Sequence, residues 1–498
     1  MTPSAVIRKR LFDSVFPTAL RRIAKIEEEG DRVNLAIRLI LPLAMWGRQE
    51  GGRQAKTPIS GLTPRSYAND TGELIERLTI QAEKDYLTRL FLTESIPFAL
   101  YSDDEIERLI DSIKGDEERE AALAAWGLAL AEKPSEKARA ESVAQRLDDL
   151  GTYEKTLRAM ITAPFRSRNS SDNITGNNAE INLDTAGEPD AVLMEKVESA
   201  VGRARLFAEL AGCRVWEETP ERAADFLNRA KSALAEIDAP NERDDAALFL
   251  FERAGRIEFP ALEPLAASFA DPLLGLRALR KYFCARFLES LGPLQCADPL
   301  EKKSVLDAAR RFAAAAIADP DRRIRLGLEA AALFYAANDS RSARNSVREM
   351  LPLLSTLENP AQKATLFQRL IKILLGAGEN KAADKIFPLL EKATDAIMPD
   401  DLAELLWREH LLVLIRAGAA DRAKTYLEKI GSPTERAVFE VALLLQKGET
   451  DEAALPKAFG AILESIAAEP DSLTAATALV KICRQLACPL RGGETSPH

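Results

Sequence analysis

Residues 374–383 read Leu-Leu-Gly-Ala-Gly-Glu-Asn-Lys-Ala-Ala, and residues 414–423 read Leu-Ile-Arg-Ala-Gly-Ala-Ala-Asp-Arg-Ala. In both, a leucine stands four residues before a glycine, and an alanine stands five residues after it. Glycine enters the left-handed conformation that closes a helix, and a small residue just beyond lets the next helix pack closely on the first. The mark recurs on either side: Asn338, Gly378, Gly418 and Gly448 are followed by Ala343, Ala383, Ala423 and Ala453. A second register agrees with it. Pro320, Pro360, Pro399, Pro433 and Pro470, separated by 40, 39, 34 and 37 residues, each stand at or just before a helix start, where proline loses no hydrogen bond. That interval holds two helices and two turns, so the segment is a series of helix hairpins. One hairpin cannot cover its own apolar stripe, whereas stacked neighbours can.

Outward from this segment the composition is helical throughout. The 498 residues are 46% hydrophobic but only 6% aromatic, and Gly and Pro fall mostly between apolar stretches, which predicts almost no sheet. Apolar residues at helical spacing mark segments near 15–27, 31–47, 72–92, 103–113, 117–132, 135–149 and 152–163. Between them and the C-terminal region, residues 166–190 are rich in Asn, Ser, Gly and Asp, too polar to offset the entropy of ordering. The expected organisation is therefore a helical N-terminal region at 1–165, a flexible polar linker at 166–190, and a helical repeat array at 191–490, clearest at 320–465. The Asn-X-Ser/Thr triplets at Asn169 and Asn173 fall in the linker and bear on modification only in an exported protein.

The hairpins resemble tetratricopeptide repeats. Four residues before each turn residue, where that family favours an apolar side chain, stand Phe334, Leu374, Leu414 and Leu444. Eleven before it, where the family favours bulk, stand Phe367 and Trp407, but Gly327 and Ala437 depart from the pattern. Turn residues are 40, 40 and 30 apart, against the 34 typical of the family. The resemblance implies an all-α protein, an α-α superhelix or tetratricopeptide-like solenoid, whose first helices line a groove for a peptide or partner protein. In that register the residues 13, 10, 6, 3 and 2 before each turn face the groove. They include Arg325, Tyr335, Gln368, Lys372, Arg408, Arg416, Glu435 and Gln446. Four are basic and one acidic, which suits an acidic or carboxylate-bearing segment. The competing reading pairs these cations with second-helix acids of a neighbouring repeat.

A net charge of -10 opposes a phosphate-tracking surface, so nucleic acid is not an expected partner. No phosphate loop, strand-linked GxGxxG or HExxH occurs, and His410 and His498 are the only histidines. A histidine triad or multi-histidine metal site is thereby disfavoured, and no catalytic residue, cofactor or metal is expected. His410 replaces an apolar residue of the repeat and reads as a packing histidine. Cysteines 213, 284, 296, 483 and 488 form no CxxC pair. The longest apolar stretch, Leu35 to Trp46, is broken by Arg38 and Pro42 and falls short of the ~20 residues a bilayer crossing needs. The basic residues Arg8, Lys9, Arg10, Arg21, Arg22 and Lys25 lead into no sustained apolar region, so a cytoplasmic location is expected, and they mark an ordinary first helix or a surface-lying one. The functional expectation is an interaction scaffold, the alternative a structural subunit of a larger assembly, and an enzyme the remaining option.

Overall fold

The turn residues close helices by one repeated geometry in the computed structural model. Asn338, Gly378 and Gly418 have φ of 61°, 73° and 79°. The amide of Asp339 donates to the carbonyl of Phe334 at 2.8 Å, and that of Asn338 to Tyr335 at 2.9 Å. Glu379 and Gly378 repeat the pair on Leu374 and Leu375, and Ala419 and Gly418 on Leu414 and Ile415. Each is a paired helix-terminating motif that satisfies two orphan carbonyls and turns the chain back. Ala343, Ala383 and Ala423 are fully buried behind these turns. The fourth mark, Gly448 and Ala453, lies outside the described residues, which are 3–49, 62–166, 188–213, 216, 219–289, 298–398, 400–447 and 454–487.

Proline fixes the other end, standing at the first helical position of Pro320–Ala336, Pro360–Gly376, Pro240–Arg253, Pro272–Phe283 and Pro299–Ala313. Asp319, Asn359, Asp271 and Asp298 cap four of these through side-chain acceptors. Among the described residues there is no strand, and the fold is all-α, with helices packed in neighbouring pairs.

Two compact units divide the chain: Met1–Trp126 with Glu391–His498, and Gly127–Leu390. The sequence expectation placed its division at 166–190, most of which lies outside the described residues. In the Gly127–Leu390 unit, the helices Leu150–Arg166, Ala200–Ala211, Pro240–Arg253, Pro272–Phe283, Pro320–Ala336 and Pro360–Gly376 lie side by side in chain order as a row of first helices. The second helix Ser340–Thr356 packs on Pro320–Ala336, and Gly327 shows why its position has no bulky anchor. A Cβ there would sit 3.2 Å from the Cβ of buried Met350. Bulk therefore comes from the facing helix, while Leu326 and Leu328 are buried beside it.

The other unit joins the two ends of the sequence. The helix Pro3–Ile23 packs along Ser472–Ala487, and Phe12, Val15, Phe16 and Ala19 share one core with Leu479, Ile482, Cys483 and Leu486. Arg484 reaches the Arg38 carbonyl at 3.3 Å and the Glu94 carboxylate at 2.5 Å. Thus the basic first helix is a core helix along its apolar face, with Lys9 set 5.7 Å over the Trp46 ring. Two expected segments split. The 31–47 segment is Glu29–Arg38 and Ile40–Gln49, and 72–92 is the end of Pro64–Glu76 followed by Gln81–Ser95. Periodicity missed these breaks because Leu39, Leu78 and Ile80 continue the apolar spacing across them.

Candidate functional site

Charge on the first-helix row converges on one buried carboxylate. Glu329 interrupts the apolar run Leu326-Gly327-Leu328-Glu329-Ala330-Ala331 in the middle of Pro320–Ala336, and its side chain is 1% exposed. From Pro272–Phe283, Arg277 Nε lies 3.1 Å from its Oε1 and Arg280 Nε 2.7 Å from its Oε2. From the opposite neighbour, Pro360–Gly376, Arg369 Nη2 lies 2.5 Å from Oε1. Burial opposes the charge on Glu329, but the attraction of Arg280, Arg369 and Arg277 outweighs it and holds the carboxyl below its ordinary range. The three arginine side chains retain 34%, 38% and 34% exposure, so each is partly in contact with solvent while it meets the acid.

Around this centre the ion pairs are balanced one to one. Arg322 meets Asp271 at 2.9 Å, Arg325 meets Asp321 at 2.8 Å, and Lys281 meets Glu252 at 2.5 Å. The Gln362 amide donates to Asp321 at 2.6 Å. Lys372, one turn beyond Arg369, is exposed with no ion-pair partner among the described residues.

The eight residues expected to line a groove are shared between the two units. Arg325, Tyr335, Gln368 and Lys372 belong to Gly127–Leu390, and Arg408, Arg416, Glu435 and Gln446 to the other. Gln368 and Tyr335 are both buried. Burial and then the Glu379 carboxylate push the Tyr335 phenol up, while Arg344 pulls it down. Arg408 Nη2 lies 2.8 Å from Glu404 on its own helix, and Nε lies 2.5 Å from Glu435 on the next first helix. Lys481 adds a third charge at 3.3 Å from Glu435. The acids that balance Arg325 and Arg408 therefore stand on first helices, not on the second helices that the competing reading invoked. Gln446 donates to the carbonyl of Ile415, and Arg416 is exposed.

Arg277, Arg280, Glu329 and Arg369 were not among the expected residues. A signal for two of them exists, since Glu329 stands nine before Asn338 and Arg369 nine before Gly378, opposite charges at one register position in adjacent repeats. Other buried acids have a purely local task. Asp85 accepts from the amides of Lys114 at 3.1 Å and Gly115 at 2.8 Å, and Glu154 accepts from Ser199 at 2.6 Å. Both satisfy donors at the start of a following helix. Glu301 accepts from the Phe259 amide at 2.7 Å, the Tyr282 hydroxyl at 2.6 Å and Arg286 at 3.0 Å.

His410 is buried against Trp407 and Tyr426, with ring centroids 5.9 and 5.2 Å away, both edge-on. Burial pushes its pKa down to about 4, so it is neutral near pH 7. The described residues contain no group of three or more His, Cys, Asp or Glu placed to hold a metal ion. No described helix is long and apolar enough to cross a membrane.

No protein-family model matches the chain, and no curated protein matches its sequence. Among solved structures it is similar to one described as a circular tandem repeat protein with novel repeat topology and enhanced subunit contact surfaces. That likeness has 12% identity over 93% of this chain and 96% of the other, at a TM-score of 0.18. A score that low carries no argument. The class, a helical repeat protein, rests on the repeated turns and stacked helix pairs described above.

Proposed function

We propose that this chain is a tetratricopeptide-like, cytoplasmic interaction scaffold, without catalysis of its own, that holds an acidic segment of a partner protein on the first-helix row of its Gly127–Leu390 unit. One observation carries the reading: that row has a local cationic excess in a protein of net charge -10. Among the described residues Arg277, Arg280 and Arg369 share a single acid, and Lys372 stands beside them without an ion-pair partner. Stacked helix pairs of this kind present extended binding surfaces, and local charge of this sign draws in an acidic partner. The test is fluorescence anisotropy with a labelled hexaglutamate peptide and a hexalysine control. Wild type is expected to bind the first and not the second, with affinity falling as salt rises. Lys372→Glu is expected to weaken binding severalfold while melting stays within a few degrees, because an exposed charge in such a face governs capture more than stability. Equal binding of both peptides by wild type, or unchanged hexaglutamate affinity in the folded variant, overturns the reading.

A second reading, a structural subunit of a larger assembly, is favoured by Met398, Leu402 and Leu405, which are 81%, 39% and 49% exposed on and just before the helix Asp400–Arg416. Light scattering at micromolar concentration distinguishes it: a monomer refutes self-assembly through this patch.

A further inference from the structure

We infer that the Glu329 clasp recognises a phosphate monoester on the bound segment, an inference that rests on the scaffold reading and narrows it. Three guanidiniums around one carboxylate leave an excess of two positive charges at a single point. A phosphorylated side chain carries about -1.5 to -2 at pH 7 and matches that excess in one group, whereas carboxylates must arrive in pairs. The donors are also of the required kind. Arg277 and Arg280 meet Glu329 through Nε, which leaves the terminal amino pair of each guanidinium without another partner among the described residues. Arg369 commits one terminal nitrogen. A planar fork of this sort binds phosphate oxygens bidentately, which an ammonium cannot do.

Glu329 serves as the positioning residue. Buried between the two neighbouring helices, it fixes arginines from both in one place and spares them the ordering cost that free side chains bear on binding. The surroundings define the size of the ligand group. On either side Arg322 with Asp271, Arg325 with Asp321, and Lys281 with Glu252 are neutral pairs, so beside Lys372 the excess is concentrated at the clasp. A nucleic-acid strand or an anionic bilayer needs an extended basic stripe, and this point of charge suits a single phosphate on a protein segment. Lys372, one turn from Arg369, is placed for an acidic residue flanking it.

The experiment uses the full chain and three labelled Gly/Ser peptides that differ at one position, carrying phosphoserine, glutamate or serine. The phosphoserine peptide is expected to bind at least about tenfold tighter than the glutamate peptide and to be displaced by inorganic phosphate. Arg277→Lys with Arg369→Lys keeps the charge and leaves Glu329 balanced, so the fold is retained. It is expected to erase the phosphoserine preference while hexaglutamate binding persists. Equal affinity for phosphoserine and glutamate peptides in wild type overturns this inference and leaves the acidic-segment reading standing. Failure of both the phosphoserine and the hexaglutamate peptide overturns both. Binding to vesicles containing a phosphoinositide, with no binding of the phosphoserine peptide, overturns it in favour of a lipid headgroup.

Discussion

Trp407→Ala tests the repeat register at its largest buried anchor. The indole is 3% exposed on the helix Asp400–Arg416 and lies stacked on Tyr426 of Ala420–Tyr426, with centroids 5.2 Å apart and planes 19° from parallel. His410 packs edge-on to it at 5.9 Å, and Lys429 Nζ stands 5.5 Å above its ring. Truncation removes the transfer energy of the indole and leaves a cavity that two rings and a helix hairpin refill only in part, which costs about 3–5 kcal/mol. The lost stack lies within that figure, because pairs of this kind contribute about 0.5–1.5 kcal/mol of it. Trp407→Phe keeps a ring on Tyr426 and is expected to cost about half as much.

For a unit of this size, each kcal/mol lowers the melting temperature by roughly 2–4 °C, so Trp407→Ala is expected to shift the transition of its own unit by about 10 °C. Differential scanning calorimetry reads this directly. A second readout guards against compensation elsewhere. With the indole gone, water reaches His410, whose pKa is expected to climb from about 4 back toward its ordinary value of 6.5, observable by NMR titration of its ring protons. A variant that melts within a degree of wild type with His410 still near 4 would refute the packing assigned here.

Three further outcomes are expected. His410 stays neutral when folded and titrates near 6.5 when unfolded, so its contribution is complete above pH 6.5 and lost as pH falls through 4, by about 3 kcal/mol; urea unfolding at pH 7 and 4.5 should show a smaller acid loss in His410→Gln than in wild type. Gly378→Ala places a Cβ at φ +73° in open space, so conformational strain alone should cost about 1–2 kcal/mol, whereas Asn338→Gly should leave stability equal or slightly higher. Protease is expected to cut first between 165 and 190 on composition, yet the fragments should co-elute on size exclusion, because Met1–Trp126 and Glu391–His498 lie in one unit with a common core; fragments that separate without denaturant would contradict that core.

What the sequence conveyed was local. Left-handed turns at Asn338, Gly378 and Gly418, the helix-start prolines Pro320, Pro360 and Pro433, and Ala343, Ala383 and Ala423 behind the turns are each fixed by the conformation of a few consecutive residues and hold in the structure. Pro399, like Gly448 and Ala453, lies outside the described residues. The union of the two chain ends was not legible. Apolar periodicity states which face of Pro3–Ile23 is buried, but it is silent on whether the partner is the next helix or Ser472–Ala487, whose Arg484 answers Arg38 from the far end of the chain. The site was hidden for a related reason. Nine residues before the turn stands Glu329 in one repeat and Glu409 in another, and their sequence positions are equivalent. Glu409 is exposed, whereas Glu329 is buried. The difference lies in the helices on either side, which bring Arg277, Arg280 and Arg369 within 3.1 Å of Glu329 from sequence distances of 40 residues and more. A buried charge is tolerated only where such partners arrive together, so the opposite charges of Glu329 and Arg369 at one register position hint at a pair but do not announce its burial. The same dependence makes the clasp testable: if it is built by the stacking of three helices, a variant that loosens their packing without touching an arginine should lose the phosphoserine preference before it loses the fold. Gly275→Ala is such a variant, since its Cβ would meet the Phe312 ring at 2.5 Å, two residues before Arg277. Retained preference in a Gly275→Ala protein with lowered melting temperature would show that the arginines are placed by their own helices alone.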